Sequence, residues 1–263
     1  MGGGAAKLTY IGGPTALIEF GGVRLLTDPT FDPAGSDYPT AAYTLHKTQD
    51  PALSLADLLP VDAVLLSHDH HFDNLDRAGR EALASCGTIL TTGAAAARLG
   101  GGAVALEPWE RLDLAVPGRG EIQITGTPAR HGPPGGDRGP VIGFALTLPG
   151  SERRCLYLSG DTVWFEGVAE IGRRFEVAAA VLNLGAAKVA PAGPLPLTFT
   201  AAEALELARA WPRTAIVPLH FEGWEHFSEG AAEVRAAFAV SGLTERLLWP
   251  TPGQPLTLGV SPG

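Results

Sequence analysis

Apolar residues in this chain gather in short runs separated by Gly, Pro, Asn or Asp, and most of the runs are strand-like. Residues 7–11, 15–20 and 23–27 read as three short strands, with apolar residues alternating or clustered as on half-buried strands. Gly21-Gly22 predicts a tight hairpin between the last two. Ala63-Val64-Leu65-Leu66 is wholly apolar and predicts a buried strand. Further strands are expected over 88–91, 103–106, 109–116, 121–125, 141–148, 154–158, 177–182 and 214–217. Helices are expected over 54–59, stopped by Pro60, over 76–85, and over 94–99, closed by a run of glycines. Thr200-Ala201-Ala202-Glu203 is a capping box opening a helix to Ala210. Ser228, with Glu229 after it, predicts the cap of a last helix running to about Val240. Residues 30–50 and 132–140 carry no period, and loops of that length are usually functional or mobile. The first either overhangs a site, with Tyr38, Tyr43 and His46 as candidates for substrate contact, or is a surface excursion; the second is a lid, a pocket wall or a plain connector.

The run 63–66 ends in Ser67-His68-Asp69-His70-His71-Phe72-Asp73-Asn74-Leu75-Asp76. So many titratable groups after an apolar strand are expensive to bury unless their charge is compensated. Imidazole and carboxylate together are ligands for zinc, manganese or iron, and a metal is the compensator the pattern suggests; a solvated polar loop is the plainer alternative. The same arrangement recurs along the chain. His131 follows the strand-like 121–125, Asp161 follows 154–158, and His220 follows 214–217. Side chains at one end of several strands can meet at a point although they are distant in sequence. Adjacent side chains on an extended segment point to opposite faces, so two of His68, His70 and His71 are expected at the metal and one away from it.

In this order of motifs the chain resembles the metallo-β-lactamase superfamily of metal-dependent hydrolases. Within it the chain is similar to the branch of L-ascorbate-6-phosphate lactonase and N-acyl-phosphatidylethanolamine phospholipase D. Tyr10-Ile11-Gly12, Thr15–Phe20, Leu26-Thr27-Asp28-Pro29 and Ser159-Gly160-Asp161-Thr162 add to the resemblance. It implies an α/β fold, a four-layer αββα sandwich of two mixed sheets with helices outside. It implies one or two ions, zinc first and manganese or iron as alternatives. The first ion would take two of His68, His70 and His71 together with His131; the second would take Asp73 and His220, with Asn74 as a further donor; Asp161 would bridge them. Asp28 would lie beneath the metals and orient a ligand. The implied activity is hydrolysis of a small ester, lactone or phosphodiester by a metal-bound hydroxide, with Asp73 or Asp69 orienting the water. His226 or His46 would meet the developing negative charge, and Trp224 would stand close to the site.

The chain also departs from the family pattern His-x-His-x-Asp-His. In one register His68-Asp69-His70 is the histidine pair and one extra residue precedes Asp73. In the other, His71-Phe72-Asp73 keeps the spacing and Asp69 stands at the first histidine. In both registers Asn74 stands where a histidine is expected, and its neutral amide oxygen is a weaker zinc ligand than imidazole. Gly12-Gly13-Pro14 likewise lacks the histidine usual in this branch.

Composition narrows the classes. A chain of 263 residues, 45% hydrophobic, can bury one large core, and residues 1–263 are read as a single domain. The net charge of -9 and the absence of a basic stripe argue against a nucleic-acid partner, which disfavours a nuclease of the same superfamily. A non-enzymatic metal protein with a degraded second position is the other alternative. A small-molecule substrate is expected, and oligomeric state is left open. No apolar run is long enough to span a bilayer, and Met1–Lys7 lacks the pattern of a signal peptide. Met1-Gly2 is a poor myristoylation match because Ala6 lacks the hydroxyl. Cys155 reads as a buried thiol, and a cytoplasmic location is expected. There is no Gly-x-Ser-x-Gly, no P-loop and no dinucleotide fingerprint.

Overall fold

A computed structural model describes residues 5–260; the amino-terminal residues on which the myristoylation reading falls lie outside them. The chain opens with β1 (Lys7–Gly12), β2 (Thr15–Phe20) and β3 (Val23–Thr27), followed by a small ribbon of β4 (Asp37–Pro39) and β5 (Thr44–His46). Helix α1 (Leu55–Leu58), β6 (Ala63–Leu65), α2 (Arg77–Ala82), β7 (Thr88–Thr91), α3 (Gly93–Leu99) and β8 (Val104–Ala105) complete the first half. The second half runs β9 (Arg111–Val116), β10 (Gly120–Pro128), β11 (Ile142–Leu148), β12 (Ser151–Leu158), α4 (Glu166–Arg174) and β13 (Glu176–Asn183). It ends with α5 (Ala201–Ala210), β14 (Ala215–Leu219), α6 (Ala231–Val240) and β15 (Pro255–Thr257), which returns to the first sheet.

The strands form sheets ordered β15-β1-β2-β3-β6-β7-β8 and β14-β13-β12-β11-β10-β9. Each half begins as an antiparallel meander and continues as parallel strands joined by helices. Leu8, Ile18, Phe20 and Leu25 from the first sheet meet Ile124, Phe144, Leu156 and Val181 from the second in one core. Burying a side chain of this size contributes about 1.5–3 kcal/mol. Helices cover both outer faces. Val168, Ile171, Leu207 and Phe238 pack on the outside of the second sheet, and Leu58, Leu75 and Leu83 on the outside of the first. The architecture is the αββα sandwich.

Two local expectations need correction, and one helix had no expectation at all. Helix α4 was not legible in the sequence, because two glycines interrupt its apolar stripe and no side chain caps it. Gly172 is there for space: a Cβ would come within 2.0 Å of Trp211 Nε1. Ser228 does not cap the last helix. Its Oγ donates to Ala186 O at 2.7 Å, Gly230 is the cap, and Glu229 accepts Ala201 N at the start of α5 instead. Residues 30–50 are not loose either. Besides the β4–β5 ribbon, Asp76 ties the segment down: its carboxylate accepts from Phe31 N (3.0 Å), Asp32 N (2.8 Å), Gly79 N (2.7 Å) and Lys47 Nζ (2.9 Å).

Candidate metal centre

β10, β12, β13 and β14 run the same way, and they deliver His131, Asp161, Asn183 and His220 to one edge of the second sheet. β3 and β6, parallel to each other, deliver Asp28 and the His68–Asp73 stretch to the first. Backbone bonds join the edges: Ile142 N donates to Ser67 O (3.1 Å) and His220 N to Gly13 O (2.8 Å). Asp28 and His220 hold φ of 28° and 53°, a region that residues with a Cβ seldom adopt and that clusters at functional sites.

His71 Nδ1 stands 3.0 Å from His68 Nε2 and 3.1 Å from His131 Nε2. The far nitrogen of each partner is already committed. His131 Nδ1 donates to Leu197 O at 2.8 Å. Ser67 Oγ gives its proton to Asp28 Oδ2 at 2.9 Å, so it accepts from His68 Nδ1 at 2.9 Å. A neutral imidazole carries one N–H, so both Nε2 atoms turn bare lone pairs towards His71. Asp161 Oδ2 lies 3.5 Å from His131 Nε2. A single N–H on His71 Nδ1 answers only one of these two lone pairs, so the other, with Asp161 Oδ2 beside it, is left without a donor, a gap that a cation would fill; fixing the outer N–H is how proteins orient metal-binding histidines.

Asp161 links this cluster to a second. Its Oδ1 accepts from Asn183 Nδ2 (2.7 Å) and His220 Nδ1 (3.0 Å). His220 Nε2 stands 3.6 Å from Asp73 Oδ2, and His226 Nε2 stands 3.1 Å from the same oxygen. Asp161 Oδ2, His220 Nε2 and Asn74 Oδ1 are buried with no hydrogen-bond partner. Such atoms are rare in folded proteins and call for an explanation. His68, His131 and Asp161 form one group of metal-competent side chains, Asp73, Asp161 and His220 a second, and His68, His70 and His71 a third. The donor chemistry and these orphaned atoms fit divalent metal.

Electrostatics follow from burial. His68 is held well below the ordinary imidazole range, and His71 falls to about 3, chiefly by burial and then by neighbouring histidines. Burial would raise Asp73 and Asp161, but histidines outweigh it: His226 and His220 hold Asp73 below the carboxylate range, and His220 and His131 do so for Asp161. Burial would lower His220, but Asp161 and Asp73 raise it. Burial lifts Asp28 to about 7, against the Ser67 backbone N–H and with help from Asp161.

The other sequence candidates lie as follows. His70 turns Nε2 to Arg138 O at 2.8 Å, while the segment turns at His71, whose carbonyl accepts from Asn74 N and Leu75 N. Asp69 is taken up by Arg98, whose Nε reaches its two oxygens at 3.0 and 3.1 Å, so it faces away from the cluster. Asn74 Nδ2 donates to Asp28 Oδ2 at 3.3 Å. Trp224 is buried, its ring tilted against Tyr38 with Lys47 over it, and is not among the clustered side chains. Tyr38 is itself fully buried, with its hydroxyl on Asp32. Tyr43, His46 and His226 line a pocket of about 220 Å³. His46 is half-exposed there and bound to Asp37 at 2.7 Å. Sequence reasoning missed Ser67, Asn183 and Arg138. For Asn183 a signal was present: a polar residue ending an apolar strand, as at the other site positions.

A family model described as the Beta-lactamase superfamily domain matches residues 23–221. The UPF0173 protein YddR of Bacillus subtilis (strain 168) is 24% identical over 264 residues, covering 95% of this chain and 99% of that protein. Among solved structures, an isothiocyanate hydrolase from Delia radicum gut bacteria superposes with a TM-score of 0.81 at 24% identity, covering 97% of this chain and all of the other. A possible metal-dependent hydrolase from Veillonella parvula DSM 2008 superposes with a TM-score of 0.82 at 21% identity, again over 97% of this chain.

Proposed function

We propose, for a chain that belongs to the metallo-β-lactamase superfamily of metal-dependent hydrolases, metal-assisted hydrolysis of a small ester, lactone or phosphodiester. The substrate classes come from the branch resemblance, and the pocket of about 220 Å³ beside His226 favours a small molecule. Lone pairs of His68 and His131 converging on His71, with Asp161 Oδ2 beside them, carry this reading. His68, His71 and His131 would hold the first ion, Asp73 and His220 the second, with Asp161 between them. The nitrogen-rich first position suits zinc; the more oxygen-rich second also admits manganese or iron. When bound, such an ion lowers the pKa of its water to about 7 and polarises a carbonyl or phosphoryl oxygen. Around it, Ser67 and Leu197 fix the histidine tautomers and Asn183 orients Asp161. Asp73, held ionised, is placed to orient the attacking water, whereas Asp69 is occupied by Arg98. The free thiols Cys86 and Cys155 favour a reducing, cytoplasmic setting. The net charge of -9 disfavours the nuclease alternative. The test is elemental analysis of the purified protein, then turnover of phosphodiester, lactone, ester and thioester substrates with zinc, manganese or iron added. Bound metal and metal-dependent turnover are expected; a protein that takes up no divalent ion ends the reading.

The two positions are expected to respond differently to acid. His68 and His71 are already neutral in mildly acidic solution, so their lone pairs stay available. His220 is raised by Asp161 and holds a proton that an ion must displace. Below its raised pKa, affinity at the second position is therefore expected to fall about tenfold per pH unit, one proton being released per ion bound. Metal content after dialysis at graded pH should show the second ion leaving first; joint loss of both would contradict the assignment.

A further inference from the structure

One imidazole in the second cluster is left unused by the ligand set above. His226 Nε2 is nearer to Asp73 Oδ2 (3.1 Å) than His220 Nε2 is (3.6 Å). Its side chain is 11% exposed and that of Asp73 is 7%. The backbone around it is clamped, so the contact does not depend on a wandering side chain. Lys188 N donates to His226 O at 3.0 Å, and Ser228 N to Gly185 O at 3.0 Å. Phe227 packs against both imidazoles, with ring centroids 4.6 Å from His226 and 4.8 Å from His220. Gly185 makes the space for this: a Cβ would come within 2.4 Å of the Phe227 ring and 2.5 Å of His220 O. Position 74, next to Asp73, offers an asparagine whose Nδ2 donates to Asp28 and whose Oδ1 is only a neutral amide donor.

We propose that His226 is the positioning residue of Asp73. Its imidazole, with Nε2 3.1 Å from Asp73 Oδ2, holds the carboxylate turned towards His220 and Asp161, and so sets the affinity of the second metal position in a chain with no histidine at position 74. The proposal rests on the metal reading above. The same ring also walls the pocket that Tyr43 lines, so a bound substrate and the second position meet at His226. A hydrogen-bonded partner that orients a ligating carboxylate or histidine typically affects metal affinity by about 10–100-fold.

The experiment titrates zinc by calorimetry into the unaltered protein, His226→Ala and His226→Gln, and records the visible absorption of each after loading with cobalt(II). His226→Ala is expected to weaken the second position by about 10–100-fold and leave the first unchanged. His226→Gln keeps an N–H donor and is expected to recover most of that loss. The cobalt spectrum at saturation is expected to be the same in all forms, because no ligand is removed. An unchanged second affinity in His226→Ala overturns the proposal. So does a spectrum altered in both variants with no recovery in His226→Gln, which makes His226 a direct ligand. Failure of the metal reading is seen separately: the unaltered protein would bind no zinc at all, before any variant is compared.

Discussion

Replacing Asp161 by alanine is expected to strip the protein of metal at both positions and to abolish metal-dependent turnover. Asp161 is fully buried and belongs to two of the three groups of metal-competent side chains. Its Oδ1 is occupied by His220 Nδ1 and Asn183 Nδ2, which leaves Oδ2 free towards His131. A residue that merely orients a ligand is worth about 10–100-fold in metal affinity, so a ligand shared by two ions should exceed about 100-fold at each. The substitution also leaves the Asn183 amide and the His220 N–H buried and unpaired, at about 1–3 kcal/mol for each group. Circular dichroism therefore accompanies elemental analysis and kinetics, to show that the variant is folded. A folded Asp161→Ala protein that kept both ions would mean that the centre lies elsewhere. His131→Ala is expected to empty the first position alone.

Lys47→Met is expected to lower the free energy of unfolding by about 3–5 kcal/mol, the range found when one partner of a buried ion pair is removed. Lys47 and Asp76 are 4% and 0% exposed at their side chains and meet at 2.9 Å. Asp76 also caps α2 and accepts two backbone N–H groups from the start of the segment 30–50. In the variant that carboxylate keeps its three backbone donors but loses the one counter-charge it has among the described residues. The lower end of the range is therefore expected, read from urea unfolding at constant m-value. The segment carries Tyr43 and His46 on the pocket wall, so loosening it should raise KM more than it lowers kcat. A stability change below about 1 kcal/mol would class the pair with surface ion pairs and remove it as the anchor of the segment.

Much of this was legible in the chain itself. The strands could be placed because their signals are local: alternation, Gly-Gly at the first hairpin, a capping box at Thr200. The site residues stood out because each is a polar group at the end of an apolar strand, where an unpaired buried charge is costly and so marks a purpose. Their common edge follows from sheet order and direction. Which atoms meet there was decided by tertiary structure. Strand alternation favoured His68 with His70, but the chain leaves the extended state at His71, and a turn does not alternate; His71 therefore joins His68 while His70 reaches Arg138. Asp69 looked as eligible as Asp73 until α3 brought Arg98 to it from 29 residues away. Trp224 sat beside two histidines in sequence, yet its ring is needed under Lys47. His226 acquires its meaning only through Asp73, which lies across the interface between the two sheets. A sequence records which groups are present and their local period. Their pairing depends on distances of a few ångströms between segments far apart in the chain, and only the packed sheets set those distances.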